Sequence, residues 1–442
     1  MSERLVSGTT ERRTIDLGDV DPAGSRHSGR RSTVALTDDA VVTGTANGVV
    51  LAHDRTSLGE RWRVERTERT EDENGDGARN TDGETTIVSM EPFAGGVAIG
   101  ERSPAGEIRV HDTATGEIRW CYRTVEDVGT PQNGTRFFLP FVVSLASEAD
   151  RLYAAARRYE RSGSNGSDDG NESGSTRSFE SSIYAFESDG AVAWTYETDA
   201  SPIALDTREG RVAVAFNRCP GDHQQGLVVL DAETGEEVAS WDPSTRTAAA
   251  GDRRIGDVSL LENGLVCTSH DDCRAYRLDR EYKPTWGVDL ATERTIGEET
   301  LYAYPNHCHA SGDGAVFLTG NTYPTEGRET ESRHPDEHTA FGYTLDGDRR
   351  WSERVGGFVT GLGTDSGRLA APRAQNFRTR DPTTHGLDVF AIEGGRRDEF
   401  SAEGILTAAA LANETVVVIE EPVIYHDEGT RRGRYRLHVG SI

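Results

Sequence analysis

The chain has 442 residues, of which 75 are acidic and 48 are basic, so its formal net charge is −27. Lys283 is the single lysine, and the other basic residues are arginines. An acidic excess with few lysines is typical of proteins that work in multimolar salt, where a Debye length of about 3 Å weakens the repulsion between surface carboxylates. The charge excludes a broad basic face, and we therefore expect no nucleic-acid partner.

Nothing in the sequence indicates export or membrane insertion. The five cysteines are scattered and odd in number, which does not suggest a disulfide framework. Residues 1–6 lack an apolar leader, and no apolar run is long enough to cross a membrane. We therefore expect a monomeric cytoplasmic protein without a membrane span.

The strongest signal is a repeated phrase that closes on an aromatic residue. The clearest copy contains Asp112 and Gly116 and ends at Trp120, and a second copy contains Gly235 and ends at Trp241. The residues that close the seven copies are Trp62, Trp120, Trp194, Trp241, Trp286, Trp351 and Phe400. Within the phrase, the Asp can accept hydrogen bonds from turn amides and the Gly tolerates positive φ. The phrase therefore predicts a tight turn, and its aromatic residue predicts core packing rather than a site.

Predicted strands follow the same order around each copy. An apolar strand such as Gly96–Gly100 precedes a second strand such as Glu107–Val110, and the turn and a strand that begins at the tryptophan follow. A further apolar stretch precedes the next copy. Four antiparallel strands per copy, repeated around a closed ring, predict a β-propeller. A tryptophan suits the boundary between two blades, because it supplies about 150–250 Å² of contact.

The closing aromatic residues are 45 to 74 residues apart, and the longer intervals indicate insertions. Three stretches of polar, Gly-rich or acidic composition account for them. We expect flexible loop insertions at residues 67–84, 161–177 and 323–338.

The two ends of the chain complete the pattern. After the seventh copy, apolar strands remain at residues 415–419 and 434–439, and the strand that they lack is found at 12–17. The sequence therefore predicts one all-β domain over residues 1–442. We expect a single eight-bladed β-propeller of four-stranded antiparallel blades, with the last blade closed by both termini. A seven-bladed ring is the alternative.

The phrase Asp-x-x-Thr-Gly-x-x-x-Trp, from Asp112 to Trp120, resembles the repeat of the PQQ-like propellers. That group contains the quinoprotein alcohol dehydrogenases and the BamB-type outer-membrane assembly lipoprotein, and the resemblance covers residues 12–439. For the dehydrogenase members it implies a vicinal cysteine pair over the quinone and a Glu/Asn/Asp set that holds calcium. The chain has no Cys-Cys, and its nearest pair is Cys267 and Cys273. We therefore predict no PQQ cofactor, and function must be argued from a site.

One predicted inner strand contains unusual polar residues. His307, Cys308 and His309 align with the inner strand of the preceding blade, which contains Asp257. Strand alternation places the two histidines on one side and Cys308 on the other. Two imidazoles near a channel, with Asp257 as a third ligand, form a candidate metal or small-ligand site. The alternative is that the histidines bond to backbone carbonyls and pack against adjacent blades.

Two other histidine clusters favour structural roles. His270–Cys273 lies in a predicted hairpin turn, where we expect the two aspartates to cap amides. His334 and His338 lie four residues apart in the 323–338 insertion, where we expect a flexible loop, and they lack the His-Glu-x-x-His order of a zinc peptidase helix. The sequence also lacks a nucleophile elbow, a phosphate-binding loop and a dinucleotide fingerprint.

Three functions remain open. The first is a non-catalytic propeller that acts as a protein-interaction scaffold in the cytoplasm of a halophile, with loops and insertions as its binding surface. The second is an enzyme of quinoprotein-like type, or a metal or small-ligand binder, that uses His307, His309 and Asp257 at the channel mouth. The third is an exported assembly factor of the BamB type. The sequence identifies neither the protein partner nor a ligand.

Overall fold

The computed structural model of the chain describes residues 12–24, 31–65, 85–162, 176–244, 251–327, 330–374, 380–425 and 429–442. In this part of the chain the architecture is all-β, with antiparallel sheets. The described helical segments are short, and they are α1 (Val125–Val128) and a 3₁₀ turn at Pro382–Thr384. The expected insertion at 67–84 and most of the one at 161–177 lie outside the described residues.

Consecutive strands form four-stranded units in the first half of the chain. The opening strand is β1 (Arg13–Asp16). The first unit consists of β2 (Thr33–Leu36), β3 (Ala40–Gly44), β4 (Val50–Asp54) and β5 (Glu60–Val64). The next consists of β6 (Thr86–Phe93), β7 (Gly96–Arg102), β8 (Glu107–Asp112) and β9 (Ile118–Arg123). The third consists of β10 (Phe141–Glu148), β11 (Arg151–Ser162), β12 (Thr176–Phe186) and β13 (Val192–Thr198). A single residue pair, Phe141 with Arg102, joins the sheets of these last two units.

The middle of the chain repeats the pattern. One unit consists of β14 (Ser201–Arg208), β15 (Arg211–Arg218), β16 (Leu227–Asp231) and β17 (Glu237–Trp241). The next consists of β18 (Ile255–Leu261), β19 (Gly264–Ser269), β20 (Arg274–Leu278) and β21 (Pro284–Asp289). A short strand β22 (Arg294–Ile296) then adds to the unit of β23 (Glu299–Ser311), β24 (Gly314–Pro324), β25 (Thr339–Tyr343) and β26 (Arg349–Arg354).

The two ends of the chain meet in the last unit. The unit before it consists of β27 (Gly363–Thr364), β28 (Arg368–Arg373), β29 (Gly386–Ala391) and β30 (Gly395–Ser401). The last unit contains β31 (Ile405–Ala412), β32 (Thr415–Glu421) and β35 (Arg436–Ser441), beside a hairpin of β33 (Val423–Ile424) and β34 (Arg431–Arg432). β1 pairs with β35, with Thr14 opposite His438, and supplies the fourth strand. The sequence predicted this closure by both termini.

The first strands of the units, which we call the inner strands, form a ring. Neighbouring inner strands contact each other in chain order from β2 to β23, β27 contacts β31, and β31 contacts β2. Between β23 and the next unit, the His309 imidazole bonds to the carbonyl of Asp365. Side-chain hydrogen bonds cross between them, as where Asp206 in β14 accepts from the amide of Leu260 in β18 at 2.6 Å. Buried apolar side chains fill the space between units, as where Ile183 of β12 belongs to the same cluster as Val214 and Val228 of the next unit. Each unit therefore completes its core only against its neighbours.

The repeated phrase joins neighbouring units at their outer edges. The Asp112 carboxylate accepts hydrogen bonds from the amides of Ala114 and Thr115 at 2.9 and 3.0 Å. The Trp62 indole of the preceding unit donates to the carbonyl of Thr113 at 2.9 Å. Gly116 has φ +79°, and a Cβ there would lie 2.7 Å from the Trp62 ring. The glycine therefore serves both the turn and the close approach of the indole.

The same contact recurs at four further positions around the ring, where a tryptophan indole donates to a carbonyl in the turn of the following unit. These pairs are Trp120 with Ser188, Trp194 with Ala232, Trp286 with Leu345 and Trp351 with Ile392. Trp241 differs, because the following turn has Tyr282 at φ +60° in place of a glycine, and the indole instead packs on the Tyr276 ring at 4.9 Å. Phe400 packs against His438, with ring centroids 5.8 Å apart. These aromatic contacts join neighbouring units.

Candidate functional site

A cavity of about 970 Å³ lies inside the ring of inner strands. Its wall comes from β6, β10, β14, β18 and β23 and from residues 358–364. Each wall strand belongs to a different unit, so the side chains that face the cavity come from parts of the chain that are far apart in sequence. Titratable and hydrogen-bonding side chains converge in this cavity, which makes it the candidate functional site.

The candidate residues Asp257 and His307 lie next to each other in the cavity wall. The His307 Nδ1 atom is 3.7 Å from the Asp257 Oδ2 atom. The same oxygen accepts a hydrogen bond from the backbone amide of Cys308 at 2.9 Å, and the other oxygen accepts from the amide of Val258 at 2.9 Å. The Asp257 carboxylate therefore links β18 to β23, and its oxygens are occupied by backbone donors.

Both histidines contact the unit that follows them. His307 Nε2 is 2.9 Å from the carbonyl oxygen of Val359, and His309 Nε2 is 2.7 Å from that of Asp365. A carbonyl can only accept a hydrogen bond, which assigns the proton to Nε2 in each ring. Burial lowers the pKa of His309, against the opposing effect of the Asp365 carbonyl. The two side chains thus have the backbone contacts of the structural alternative.

The structure brings the three candidate residues to one wall without arranging them as a ligand set. Within the described residues, no three His, Cys, Asp or Glu side chains form a group that could hold a metal ion. Cys308 is buried on the opposite side of β23, with its Sγ atom 3.9 Å from the carbonyl of Val266, as strand alternation predicted. The contacts of Asp257, His307 and His309 connect three consecutive units.

Two carboxyls at the far end of the cavity, where the inner strands end, are electrostatically unusual. Burial raises the pKa of Glu91 to about 7, with a smaller contribution from Asp206 and against a hydrogen bond from Ser147. Burial likewise raises the pKa of Asp206 to about 6. Both side chains line the cavity and are partly buried. The Glu91 carboxyl is therefore partly protonated near neutral pH.

The opposite end, where the inner strands begin, is rich in arginine and aromatic rings. We call it the mouth and define it by Arg102, Phe141, Arg157, Arg253 and Tyr304, which all line the cavity. The Arg102 and Arg157 guanidiniums lie 4.4 and 5.4 Å from the centre of the Phe141 ring. The Arg253 guanidinium lies 4.3 Å from the centre of the Tyr304 ring. Cation–π contacts of this kind hold guanidiniums against a flat surface.

Two hairpins extend beyond the mouth. β11 and β12 have 12 and 11 residues, and β23 and β24 have 13 and 11, whereas the other described strands have eight or fewer. Both extensions lie at the end where the inner strands begin, and we call them the two arms. In the first arm Tyr159 and Phe179 pack at a tilt with centroids 5.5 Å apart, and in the second Tyr302 and Tyr323 stack at 6.0 Å. The mouth therefore lies between two raised aromatic edges.

Part of the 323–338 stretch is well packed within the described residues. Tyr323 is in β24, and His334 and His338 are 2% and 3% exposed. His334 Nε2 bonds to the carbonyl of Thr292 at 3.0 Å, and His338 Nε2 bonds to the side chain of Asn321 at 2.7 Å. The two imidazoles therefore have hydrogen-bond partners inside the fold.

In the His270–Cys273 turn, the Ser269 hydroxyl accepts hydrogen bonds from the amides of Asp271 and Asp272, at 3.1 and 3.3 Å. The Asp272 carboxylate accepts from the hydroxyl of Tyr276. His270 lines the cavity and packs at a tilt against Tyr304, with ring centroids 4.8 Å apart, which connects this turn to the mouth.

Sequence reasoning missed three cavity residues, Glu91, Asp206 and Arg253. Aligning the ends of the inner strands would have revealed the first two, since each lies two residues before the strand ends in a turn. Arg253 precedes β18 in a loop, where sequence periodicity gives no direction for a side chain. Its position became evident only from the contact with Tyr304.

The residues do not fit the quinone arrangement that the dehydrogenase members of the resembled family use. Cys267 and Cys273 are buried near the ends of β19 and β20, and neither lines the cavity. Burial raises the pKa of both thiols, which keeps them protonated and unreactive. No step of a reaction is therefore assigned to such a group.

Comparison with known proteins defines the fold class. No protein-family model matches the chain, and no curated protein matches it in sequence. Among solved structures, it is similar to BamB from Moraxella catarrhalis, with a TM-score of 0.56 and 12% identity over 98% of this chain and 97% of that one. It is also similar to the computationally designed Ika8 protein, with a TM-score of 0.51 and 12% identity over 94% of this chain and 98% of that one. The chain therefore has a β-propeller-like fold, and at this identity the likeness concerns the fold alone.

The described residues contain no helix with the length and hydropathy that crossing a membrane requires.

Proposed function

We propose that this protein is a non-catalytic, PQQ-like, eight-bladed β-propeller that acts as a platform for protein interaction. The observation that carries the proposal is the pair of long arms, which rise from one face beside the cavity mouth. Extended hairpins on a rigid ring are typical of recognition surfaces. The pairing of β1 with β35, which completes the last four-stranded unit, supports the count of eight blades.

Hydrogen bonding of the cavity wall supports a non-catalytic role. The His307 and His309 imidazoles bond to backbone carbonyls of the next unit. Asp206 and Asp257 accept from backbone amides of the units that follow them. Groups that could transfer protons or bind a metal are thus committed to contacts between blades.

We further propose that the protein is monomeric and works in the cytoplasm of a halophile. The support is the excess of 75 acidic over 48 basic residues. In dilute buffer such a surface repels itself and destabilises the compact state, whereas multimolar salt screens it. The thermal midpoint should therefore rise from dilute buffer to multimolar KCl, and a flat or falling midpoint would contradict the halophilic setting.

Affinity purification from the native host in multimolar KCl tests the platform. We expect a stoichiometric protein partner. Phe137 is 52% exposed in the loop that leads to Phe141 at the mouth, and Phe137→Ser should reduce recovery of that partner. Val238 is 44% exposed on β17, an outer strand, and Val238→Ser is the matched control. Absence of any stoichiometric partner would count against the proposal.

A second candidate function, small-ligand or metal binding in the cavity, rests on the cavity volume of about 970 Å³. That volume is at the upper end of ligand pockets, which span roughly 300–1,000 Å³. Elemental analysis and an absorbance spectrum of protein purified from its native host test it. A bound metal or chromophore would favour this function over the platform, and two blank results would remove it.

A further inference from the structure

The mouth stands out against the charge of the rest of the molecule. In a chain of net charge −27, its cavity-lining side chains include three arginines, Arg102, Arg157 and Arg253. Arg218 lies beside them, since it forms a bridge with Arg253 in the backbone and its guanidinium pairs with Asp252. Four guanidiniums therefore lie near one another at this end of the cavity.

Arg253 differs from the arginines of this protein that pair with a nearby carboxylate. Arg109, for example, pairs with Glu101 at 2.8 Å, and Arg119 pairs with Asp112 at 2.7 Å. The Arg253 guanidinium forms no ion pair with any residue in the described ranges, and its observed contact is the face of Tyr304. A guanidinium held on a ring, with its in-plane N–H donors left for another group, is arranged to receive a carboxylate or another planar anion.

The electrostatic environment of the mouth agrees with this geometry. Burial lowers the pKa of His270 to about 3, and the charges of Arg253 and Arg218 lower it further. Burial also lowers the pKa of Arg218, with an added contribution from Arg253. The guanidiniums of Arg253 and Arg218 repel each other and disfavour the protonated form of His270. An anion bound among them would relieve this repulsion.

The shape of the surface favours a chain segment over a compact molecule. Aromatic side chains continue from the cavity wall onto both arms, through Tyr159 and Phe179 on one side and Tyr323 on the other. Phe137 is exposed in the loop that precedes Phe141. An extended peptide can bring carboxylates to the arginines and apolar side chains to these rings at once.

We propose that the mouth binds an acidic segment of a partner protein, whose carboxylate pairs with Arg253 while neighbouring side chains contact Phe141 and the aromatic arms. This inference rests on the proposed platform function and names the chemistry of its partner. In multimolar salt long-range attraction is screened, so the contact depends on short charge-assisted hydrogen bonds and on burial of the rings.

The probe is a short fluorescent peptide in which glutamate alternates with leucine, and the measurement is fluorescence anisotropy in multimolar KCl. A second peptide with glutamine in place of each glutamate has the same size and no side-chain charge. We expect the glutamate peptide to bind the full-length protein and the glutamine peptide to bind at least about tenfold more weakly, because a hydrogen bond to a charged group contributes about 1.5–3 kcal/mol.

The variants distinguish binding at the mouth from a general effect of charge. Arg253→Gln should weaken binding of the glutamate peptide by about tenfold. Arg253→Lys keeps the charge but loses the paired guanidinium donors, so its affinity for the peptide should lie between those of Arg253→Gln and the parent protein. Arg280→Gln is the matched control, because Arg280 lies in the turn between β20 and β21 at the opposite face of the same unit. It removes the same charge and should leave binding unchanged. Thermal midpoints in the same buffer show that each variant is folded.

Each outcome has a defined meaning. Equal binding of the two peptides, or equal loss in Arg253→Gln and Arg280→Gln, would overturn the inference. If citrate competes as well as the glutamate peptide does, the occupant is a small anion, which also overturns it. If a partner is recovered from the host equally by Arg253→Gln and the peptide does not bind, the platform stands and the acidic-segment site falls. If the peptide binds through Arg253 but no partner is recovered, the site stands and the platform falls.

Discussion

The outer tryptophan contacts are repeated from unit to unit, whereas the side chains of the central cavity differ from unit to unit. At the outer edges, one arrangement of indole, turn carbonyl and glycine is repeated from unit to unit, as Trp62 with Gly116 and Trp194 with Gly235 illustrate. Along the cavity, each inner strand presents different side chains. Glu91 and Asp206 lie at one end, and Arg253 lies at the other.

The repeated outer contacts hold the ring together, whereas the side chains of the cavity distinguish this protein from others of its fold class. A contact that recurs in every unit contributes stability many times over and needs only a short sequence pattern. A side chain that occurs in one unit and faces the cavity contributes little to closure, yet it sets the local charge. Changes at the outer edges should therefore affect stability most, and changes at the mouth should affect recognition most.

The largest effect should come from removing one indole contact. Trp194 is 9% exposed, lies in a large apolar cluster and donates to the carbonyl of Ala232 at 3.0 Å. Trp194→Ala should lower the free energy of unfolding by about 3–5 kcal/mol, as other buried aromatic truncations do. Chemical denaturation in multimolar KCl measures it.

Trp241→Ala is the matched comparison for this truncation. Trp241 is half-buried, and it faces a turn that has Tyr282 where the turns that face the other tryptophans have glycine. We expect a loss about half as large. Equal losses at the two positions would show that the glycine turn adds nothing to the contact.

The next effect depends on pH and belongs to the far end of the cavity. Burial raises the pKa of Glu91 to about 7, above its ordinary value near 4.5. A raised carboxyl pKa leaves the folded state unpenalised while the group is protonated, and the penalty grows as pH rises through the window between these two values. Glu91→Gln should therefore stabilise the protein by up to about 3 kcal/mol at about pH 8 and have little effect at about pH 4.

Thermal midpoints across that pH range measure the effect of Glu91→Gln. Glu117 is exposed in the turn before Trp120, and Glu117→Gln removes the same charge at the surface. It should shift stability little and without this pH dependence. A gain for Glu91→Gln that is as large in acid as in base would contradict the buried-carboxyl account.

A smaller effect should distinguish the two roles of the repeated glycine. Gly235 has φ +74° and a Cβ there would lie 2.6 Å from the Trp194 ring, whereas Gly210 has φ +73° and nothing within 4 Å of such a Cβ. Alanine at either position meets the same backbone strain, so the difference between Gly235→Ala and Gly210→Ala isolates the indole contact. We expect Gly235→Ala to be more destabilising by about 1–2 kcal/mol. Indistinguishable unfolding free energies would assign the glycine to the turn alone.

How far the sequence could predict the molecule follows from the same comparison. The phrase that ends at Trp120 has a local cause for each residue, so it predicted the turn, the strand order and the completion of the last unit by β1. It also led to the wall that holds Asp257, His307 and His309, because alternation along a strand is a local rule.

The sequence did not predict what those wall residues contact. The Val359 carbonyl that bonds to His307 is in another unit, and the long-range geometry of the ring determines which groups meet. Likewise, burial sets the charge of Glu91, and no local pattern encodes the burial of an acidic residue. Whether Arg253 forms an ion pair depends on which carboxylates the folded ring places near it.

The smallest effect on stability should come from the residue with the largest proposed effect on recognition. Arg253 is half-buried, its contact is the Tyr304 ring at 4.3 Å, and it forms no ion pair with the described residues. Arg253→Gln should therefore change the free energy of unfolding by no more than about 1 kcal/mol, the range of a partly exposed cation–π contact. Chemical denaturation beside Trp194→Ala, in the same salt, provides the comparison. A loss near that of Trp194→Ala would place Arg253 among the residues that hold the ring together, and weaker peptide binding by this variant would then report a damaged fold rather than a lost anion contact.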